Sequence, residues 1–388
     1  MTETANDPLA GLSPNERALL ERIPSLALRR LAAAGVRAKM RLQFTGWLQY
    51  LLPLGPAAAL ALLGSLALLV RLPRVATGLG LGAAALSVTV AFDILTVKLR
   101  LHPRERRPRP RESLDAFELM RARRSCRSFQ TVLLDEVDRG ALLASVRGHV
   151  EAPTLGPTAV RLEYICAPLT VWPTVNATEF LVAIAPVPYD RRSIIDVGRT
   201  LQKVVVDATR LGLGTCWIGP GADHGSLKAH LGERFDSARD QIICVCAVGY
   251  PSRFVPLMIR FFSRVMGDRR PLSELFFVDP DLQRPLDPDA QPFARFEAAF
   301  EACRWAPSSY NGQTTRAVVR CDAEGALAEV DFYAATTSRF YAPVALGIWC
   351  ANWEIGCDAL GIEGRFEGCP PPDGELVAPR HDVTWSVG

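Results

Sequence analysis

From Trp47 to Val70 the chain carries no charged side chain, and from Val75 to Val97 it carries only Asp93. A helix over the first run would be roughly 36 Å long, enough to cross a hydrocarbon core. Such a run exceeds the usual length of a buried helix in a soluble protein. Arg71-Leu72-Pro73-Arg74 leaves room only for a tight turn between the runs. The pattern therefore predicts a helical transmembrane hairpin over 47–97. Pro53 and Pro56 lie near its start, where they bend the entry rather than break the span. With 46 residues ahead of the first run, a signal peptide does not fit.

Basic residues flank the hairpin on both sides. Arg29, Arg30, Arg37, Lys39 and Arg41 precede it, and Lys98, Arg100, Arg104, Arg106, Arg107, Arg109 and Arg111 follow it. The turn holds fewer cations than either flank, so the positive-inside rule places both ends, and the soluble domain, in the cytoplasm. The proline-broken run over 98–112 reads as an extended juxtamembrane linker against anionic lipid, not as a nucleic-acid patch. Residues 1–46 form an N-terminal segment whose part from 13 to 44 predicts an amphipathic helix. Ser13 would cap it, Pro14 and Glu16 follow the cap, and Pro24 interrupts it. Gly78-Leu79-Gly80-Leu81-Gly82 superficially matches a dinucleotide fingerprint, but it has no strand before it. Close packing of small residues between membrane helices is the better reading.

The chain has 388 residues and a formal net charge of +3, which gives no electrostatic reason to expect nucleic acid. Its ten cysteines are irregularly spaced, without CxxC or HExxH, and its five histidines are scattered. Buried, reduced thiols fit this better than zinc ligands.

After residue 112 the pattern becomes a mixture of helices and strands. Leu114–Arg124 and Asp135–Val150 read as helices, and Val160–Ala167, Glu179–Pro186, Gln241–Tyr250, Arg316–Cys321 and Glu329–Tyr333 as strands. Two apolar helical stretches, Asp196–Gly214 and Ala345–Glu363, align with Gly198 on Gly347, Leu211 on Leu360 and Gly212 on Gly361. Each ends in a Leu-Gly suited to a left-handed cap. The pairing implies two related halves, 113–280 and 281–388, packed face to face as a dimer within one chain.

Two distant segments carry the candidate chemistry. Arg123-Arg124-Ser125-Cys126-Arg127-Ser128-Phe129 sets three guanidiniums around a serine, and Ala306-Pro307-Ser308-Ser309-Tyr310-Asn311-Gly312-Gln313 is a neutral loop of hydroxyls and amides following an amphipathic helix. Cations suit a phosphate and an electron-rich ring edge, and a neutral loop suits the face of a flat ligand such as a flavin.

With Leu-Gly-Leu-Gly-Thr-Cys-Trp-Ile-Gly at 211–219 and Arg-Arg-Pro-Leu-Ser-Glu-Leu at 269–275, these segments resemble the FMN-dependent nitroreductase superfamily, over about 118–366. The order is similar to its single-chain, pseudo-dimeric members. The resemblance implies an α+β, nitroreductase-like three-layer fold and a flavin site shared between the two halves, so that a monomer suffices. It implies that Arg123, with Arg269 or Arg270, binds the FMN phosphate, and that Arg124 and Ser125 lie beside it. Arg127 would face the ring's pyrimidine edge. Thr215, Trp217 and Gly219 would line the ring near N5, and Pro307, Ser308, Ser309 and Asn311 would close the site from the second half. The implied reaction passes hydride from NAD(P)H through FMN to a small acceptor of nitroaromatic or quinone type.

Two departures stand against the family pattern. Thr314 and Thr315 replace the Pro-Trp that often follows the loop, and the first-half position, 152–157, lacks the asparagine and glutamine. One FMN per chain, or a degenerate site, is therefore expected. The alternatives are a non-catalytic protein that stores or sequesters FMN, and a scaffold that has lost it.

Overall fold

The computed structural model describes residues 20–21, 23–44, 46–169, 171–219, 222–370 and 377–388. The chain divides into two compact units. The smaller comprises residues 1–102 together with the short segments 170–175 and 254–260, and the larger holds the rest.

In the smaller unit the chain is non-helical around Pro24 and then forms the helix Leu26–Phe44. The expected cap at Ser13, with Pro14 and Glu16, lies outside the described residues. Leu54–Leu69 and Pro73–Asp93 are the two long apolar helices, the second continuing as a π-helical turn over Ile94–Lys98. With the short helix Leu48–Leu51 before the first, both stretches are long and apolar enough to cross a bilayer. Pro53 sits at the junction and Pro73 opens the second helix, where a missing N–H costs nothing. The two helices pack closely at two glycines. A Cβ on Gly64 would lie 3.4 Å from the Ala76 carbonyl oxygen, and one on Gly82 would lie 3.4 Å from Leu60 Cδ1. A Cβ on Gly78 or Gly80 would meet nothing within 4 Å, although the Gly80 nitrogen lies 3.7 Å from a Cβ placed on Gly64, so Gly80 and Gly82 border the helix contact and Gly78 does not. At the base of the hairpin Tyr50, Val97, Val175 and Ile259 are buried together, with Trp47 beside them.

The larger unit contains two sheets. The first has the order β1(Arg161–Cys166), β2(Glu179–Pro186), β4(Asp240–Gly249), β3(Gly214–Ile218), antiparallel throughout. The second has the order β5(Phe276–Phe277), β6(Thr315–Cys321), β7(Leu327–Ala334), β9(Arg380–Val387), β8(Gly364–Gly368); only the β5–β6 pair is parallel. Strands β8 and β9 had no expectation from sequence. Their burial alternates weakly, and glycines bound β8 at both ends.

Helix Arg191–Arg210 packs its apolar residues on the first sheet, and helix Tyr341–Ala359 packs on the second. The aligned Leu-Gly pairs close both helices, with φ of +78° at Gly212 and +67° at Gly361. Where the two helices cross, a Cβ on Gly198 would collide with the Val344 carbonyl oxygen, and one on Gly347 with that of Ile195. Polar ties reinforce the crossing. Gln202 Nε2 donates to Asn352 Oδ1 at 3.0 Å, and Arg199 grips Glu354 with two bonds of 2.8 and 2.9 Å. All ten cysteines are free thiols.

Candidate functional site

The arginine segment begins where a short helix stops. Asp115 caps Ala116–Ala122 by accepting from Glu118 N at 2.7 Å, while Glu118 Oε2 accepts from Asp115 N at 3.0 Å. Arg123 leaves the helical region (ψ 124°), and the chain runs on extended beside β3. Ser125 bridges Thr215 in parallel, and Cys126 N donates to the Thr215 carbonyl at 2.7 Å. The first motif is thus stitched to the edge of the strand that bears the second.

The Arg123 side chain is only 4% exposed, and its Nε and Nη1 are buried without a partner. Burial, then the nearby charges of Arg269 and Arg124, lower its pKa to about 10. Arg269 is lowered to about 10 by burial, then by Arg124 and Arg304. It donates to the Ala306 carbonyl at 2.8 Å, to Asn311 Oδ1 at 3.0 Å and to the Trp305 carbonyl at 3.3 Å. Arg124 and Arg269 both lie over the Trp305 indole, 5.1 and 5.8 Å from its ring centre. Among the described residues, none of Arg123, Arg124 and Arg269 has a carboxylate within 4.0 Å.

The second-half loop is fastened to the same place. Tyr310, Asn311 and Gln313 adopt φ of +51°, +54° and +47°, a conformation that L-residues rarely hold without support. The support is a set of hydrogen bonds to the segment carrying Arg269. Asn311 Nδ2 donates to the Asp268 carbonyl at 2.6 Å, Gln313 Nε2 donates to it at 3.2 Å, and Gln313 Oε1 accepts from Arg270 N at 2.9 Å. Within the loop, Ser308 Oγ accepts from Gln313 N at 2.9 Å.

Both segments therefore lie against Trp305 and Arg269. The individual residues take the following places. Asn311 was expected to face a ligand, but both ends of its amide are engaged by Asp268 and Arg269, so it positions the arginine. Arg270 does not join the cluster; its guanidinium pairs with Glu274 at 2.6 Å. Arg127 donates to Ser263 Oγ at 3.1 Å. Pro307 is buried, and Ser309 is exposed to solvent. Trp217 is half-buried with an unpartnered Nε1, and Gly219 backs onto the Tyr341 ring, where an added Cβ would lie 3.0 Å from Cε1.

Trp305, Asp268 and Tyr341 escaped the sequence reading. Nothing local marks an aromatic at a helix end, or a backbone carbonyl, as part of a site. A depression of about 240 Å³ beside Trp305 is lined by Phe117, Arg121, Glu297, Ala298, Glu301 and Ala302. Its carboxylates make it unsuited to a phosphate.

A cationic cluster of buried Arg123, half-buried Arg269 and exposed Arg124, with orphaned donors on Arg123, fits a phosphate ester, since an anion would both neutralise it and accept the unused N–H groups. The residues present are therefore compatible with an FMN phosphate.

Two antiparallel-dominated sheets on a crossed pair of helices, with a cationic cluster beside a neutral loop, define an α+β protein. Residues 115–357, well over half of the chain, match the family described as "Putative TM nitroreductase", and the chain belongs to that family. Among solved structures it is similar to a "putative nitroreductase" from Thermotoga maritima, at 16% identity and TM-score 0.42, over 74% of this chain and 97% of that one. It is also similar to a nitroreductase with bound FMN from Bacteroides fragilis (18% identity, TM-score 0.30, 37% of this chain and 92% of that one). An FMN-dependent nitroreductase from Clostridium difficile shows 19% identity and a TM-score of 0.27, over 35% of this chain and 87% of that one. No curated protein matches the chain.

Proposed function

We propose that this chain is a membrane-anchored, FMN-dependent oxidoreductase whose two halves form an intramolecular pseudo-dimer around one flavin site. The observation that carries the reading is the carboxylate-free cluster of Arg123, Arg124 and Arg269, with two orphaned donors on Arg123. Arg123 and Arg269 hold the phosphate, and Asn311 fixes Arg269 in place. Ser125 offers a hydroxyl beside them. Arg127 stabilises negative charge at the ring's pyrimidine edge, as a cation at that edge favours the reduced form. Trp217 and the Gly219 backbone, backed by Tyr341, exclude water from one side. When bound, FMN supplies hydride transfer from NAD(P)H to a nitroaromatic or quinone acceptor.

The two apolar helices anchor the chain in a bilayer, and the basic flanks hold the catalytic domain at the cytoplasmic face. The exposure of Leu81 and Val88, 67% and 68%, supports lipid contact. Anaerobic addition of NADH or NADPH to the purified protein tests the activity. Bleaching of the flavin absorbance, reversed by a soluble quinone, supports the reading. Persistent colour with either nucleotide would instead favour a storage protein.

A further inference from the structure

A space of about 10 Å³ among Asp190, Arg191, Ile195, Cys369, Arg380 and Asp382 is too small for more than one water. A larger feature is the helix Leu257–Val265, which touches the arginine segment through Ser263.

We infer that the helix Leu257–Val265 is a membrane-surface helix that seats Phe261, Phe262 and Val265 in the headgroup–acyl boundary of the bilayer. This rests on the reading of the hairpin as membrane-spanning. The helix begins in the smaller unit. Leu257 N donates to Asp93 Oδ2 at 2.6 Å, so the one acid of the second apolar helix caps its N-terminus. Ile259 is buried with Tyr50 and Val97 at the hairpin base. Trp47 and Lys98 meet there in a cation–π contact of 5.0 Å, the residue types that mark a membrane–water boundary.

From that anchor the helix rises ~1.5 Å per residue, which brings Phe261 about 6 Å further along the axis. Its two faces separate cleanly. Met258, Phe261, Phe262 and Val265 fall on one side at helical spacing, while Arg260 and Arg264, four residues apart, fall on the other. Phe261 is 57% exposed and Val265 59%, an unusual fate for such side chains in water. An apolar stripe flanked by arginines suits an interfacial helix on anionic lipid. Ser263 of the same helix accepts from Arg127 at 3.1 Å, so the seat in lipid also steadies one of the proposed flavin contacts.

The test uses the full-length protein in phosphatidylcholine–phosphatidylglycerol nanodiscs. A benzoylphenylalanine photo-crosslinker replaces Phe261, Val265, Leu62 of the hairpin, or Val137 of the larger unit, one at a time. All four positions are solvent- or lipid-exposed, so packing is spared. The expected result is a mass shift of one phospholipid at 261, 265 and 62, and none at 137. Lipid adducts at 62 alone overturn the proposal and leave the hairpin reading intact. A protein–protein adduct at 261 and 265 also overturns it, assigning the stripe to a second copy of the chain. Absence of lipid adducts at 62 as well overturns the membrane reading with it.

Discussion

Gly198 and Gly347 meet each other's helices reciprocally. Each would strike, with an added Cβ, the carbonyl oxygen three residues before the other glycine, Val344 or Ile195. The offset between them, 149 residues (347 less 198), recurs elsewhere. Gly219 backs onto Tyr341, and Gly368 backs onto Arg192 Cδ, and 368 less 219 and 341 less 192 give the same 149. A self-complementary contact of this kind is what a two-fold axis produces between identical subunits.

The crossing makes a prediction with a sign. Alanine in place of glycine inside a helix ordinarily gains about 1 kcal/mol. At Gly198 and Gly347 the neighbour is backbone, and overpacking costs about 1–3 kcal/mol. Gly198→Ala and Gly347→Ala should therefore lower the melting temperature, while Gly140→Ala, with nothing within 4 Å of its Cβ, should raise it. Thermal unfolding in detergent checks this. Wild-type stability in both crossing variants would contradict the packing.

Adjacent arginines should behave differently. Arg269 joins the cationic cluster, whereas Arg270 is paired with Glu274. Loss of one charge-assisted hydrogen bond costs about 1.5–3 kcal/mol, or roughly 10- to 100-fold in affinity. Fluorescence titration with FMN should show that weakening in Arg269→Ala and near-wild-type binding in Arg270→Ala.

His381 provides a pH test remote from the flavin site. Its Nε2 lies 2.9 Å from Thr384 Oγ1, 3.2 Å from Asp331 Oδ1 and 3.5 Å from Cys369 Sγ. Burial opposes its charge, yet Asp331 and Cys369 outweigh that and raise its pKa from 6.5 to about 10. A raised folded-state pKa gives stability that is complete below 6.5 and is lost as pH climbs towards 10. The melting temperature of the wild type should fall more over that interval than that of His381→Gln. Parallel pH profiles would remove this ion pair from the account.

Fractionation tests the hairpin. Alkaline carbonate should leave the protein in the membrane pellet, and detergent should release it. Full recovery of the intact chain in the carbonate supernatant would contradict membrane insertion.

Much of this architecture could be read from the chain before any coordinates. The two apolar helices declared themselves through Trp47–Val70 and Val75–Val97, and strand Glu179–Pro186 through an unbroken apolar run. The Leu-Gly caps at 212 and 361 followed from one local rule, the left-handed turn that glycine tolerates. Strand β8 did not declare itself, because Gly364-Arg365-Phe366-Glu367-Gly368 has no strong strand pattern and depends on pairing with β9. At the site, the residue types of the arginine segment and of the 306–313 loop were legible, but their wiring was not. Asn311 and Gln313 spend their amides on Asp268 and Arg270, positions more than 40 residues away in sequence. Trp305 became a partner of Arg124 and Arg269 only through tertiary packing.

The absorbance spectrum of the detergent-purified protein addresses the central claim most directly. The account predicts a yellow protein carrying about one FMN per chain, and an Arg123→Ala variant, folded by thermal melting, that loses it. A wild-type chain that is colourless and takes up no added FMN would contradict the claim.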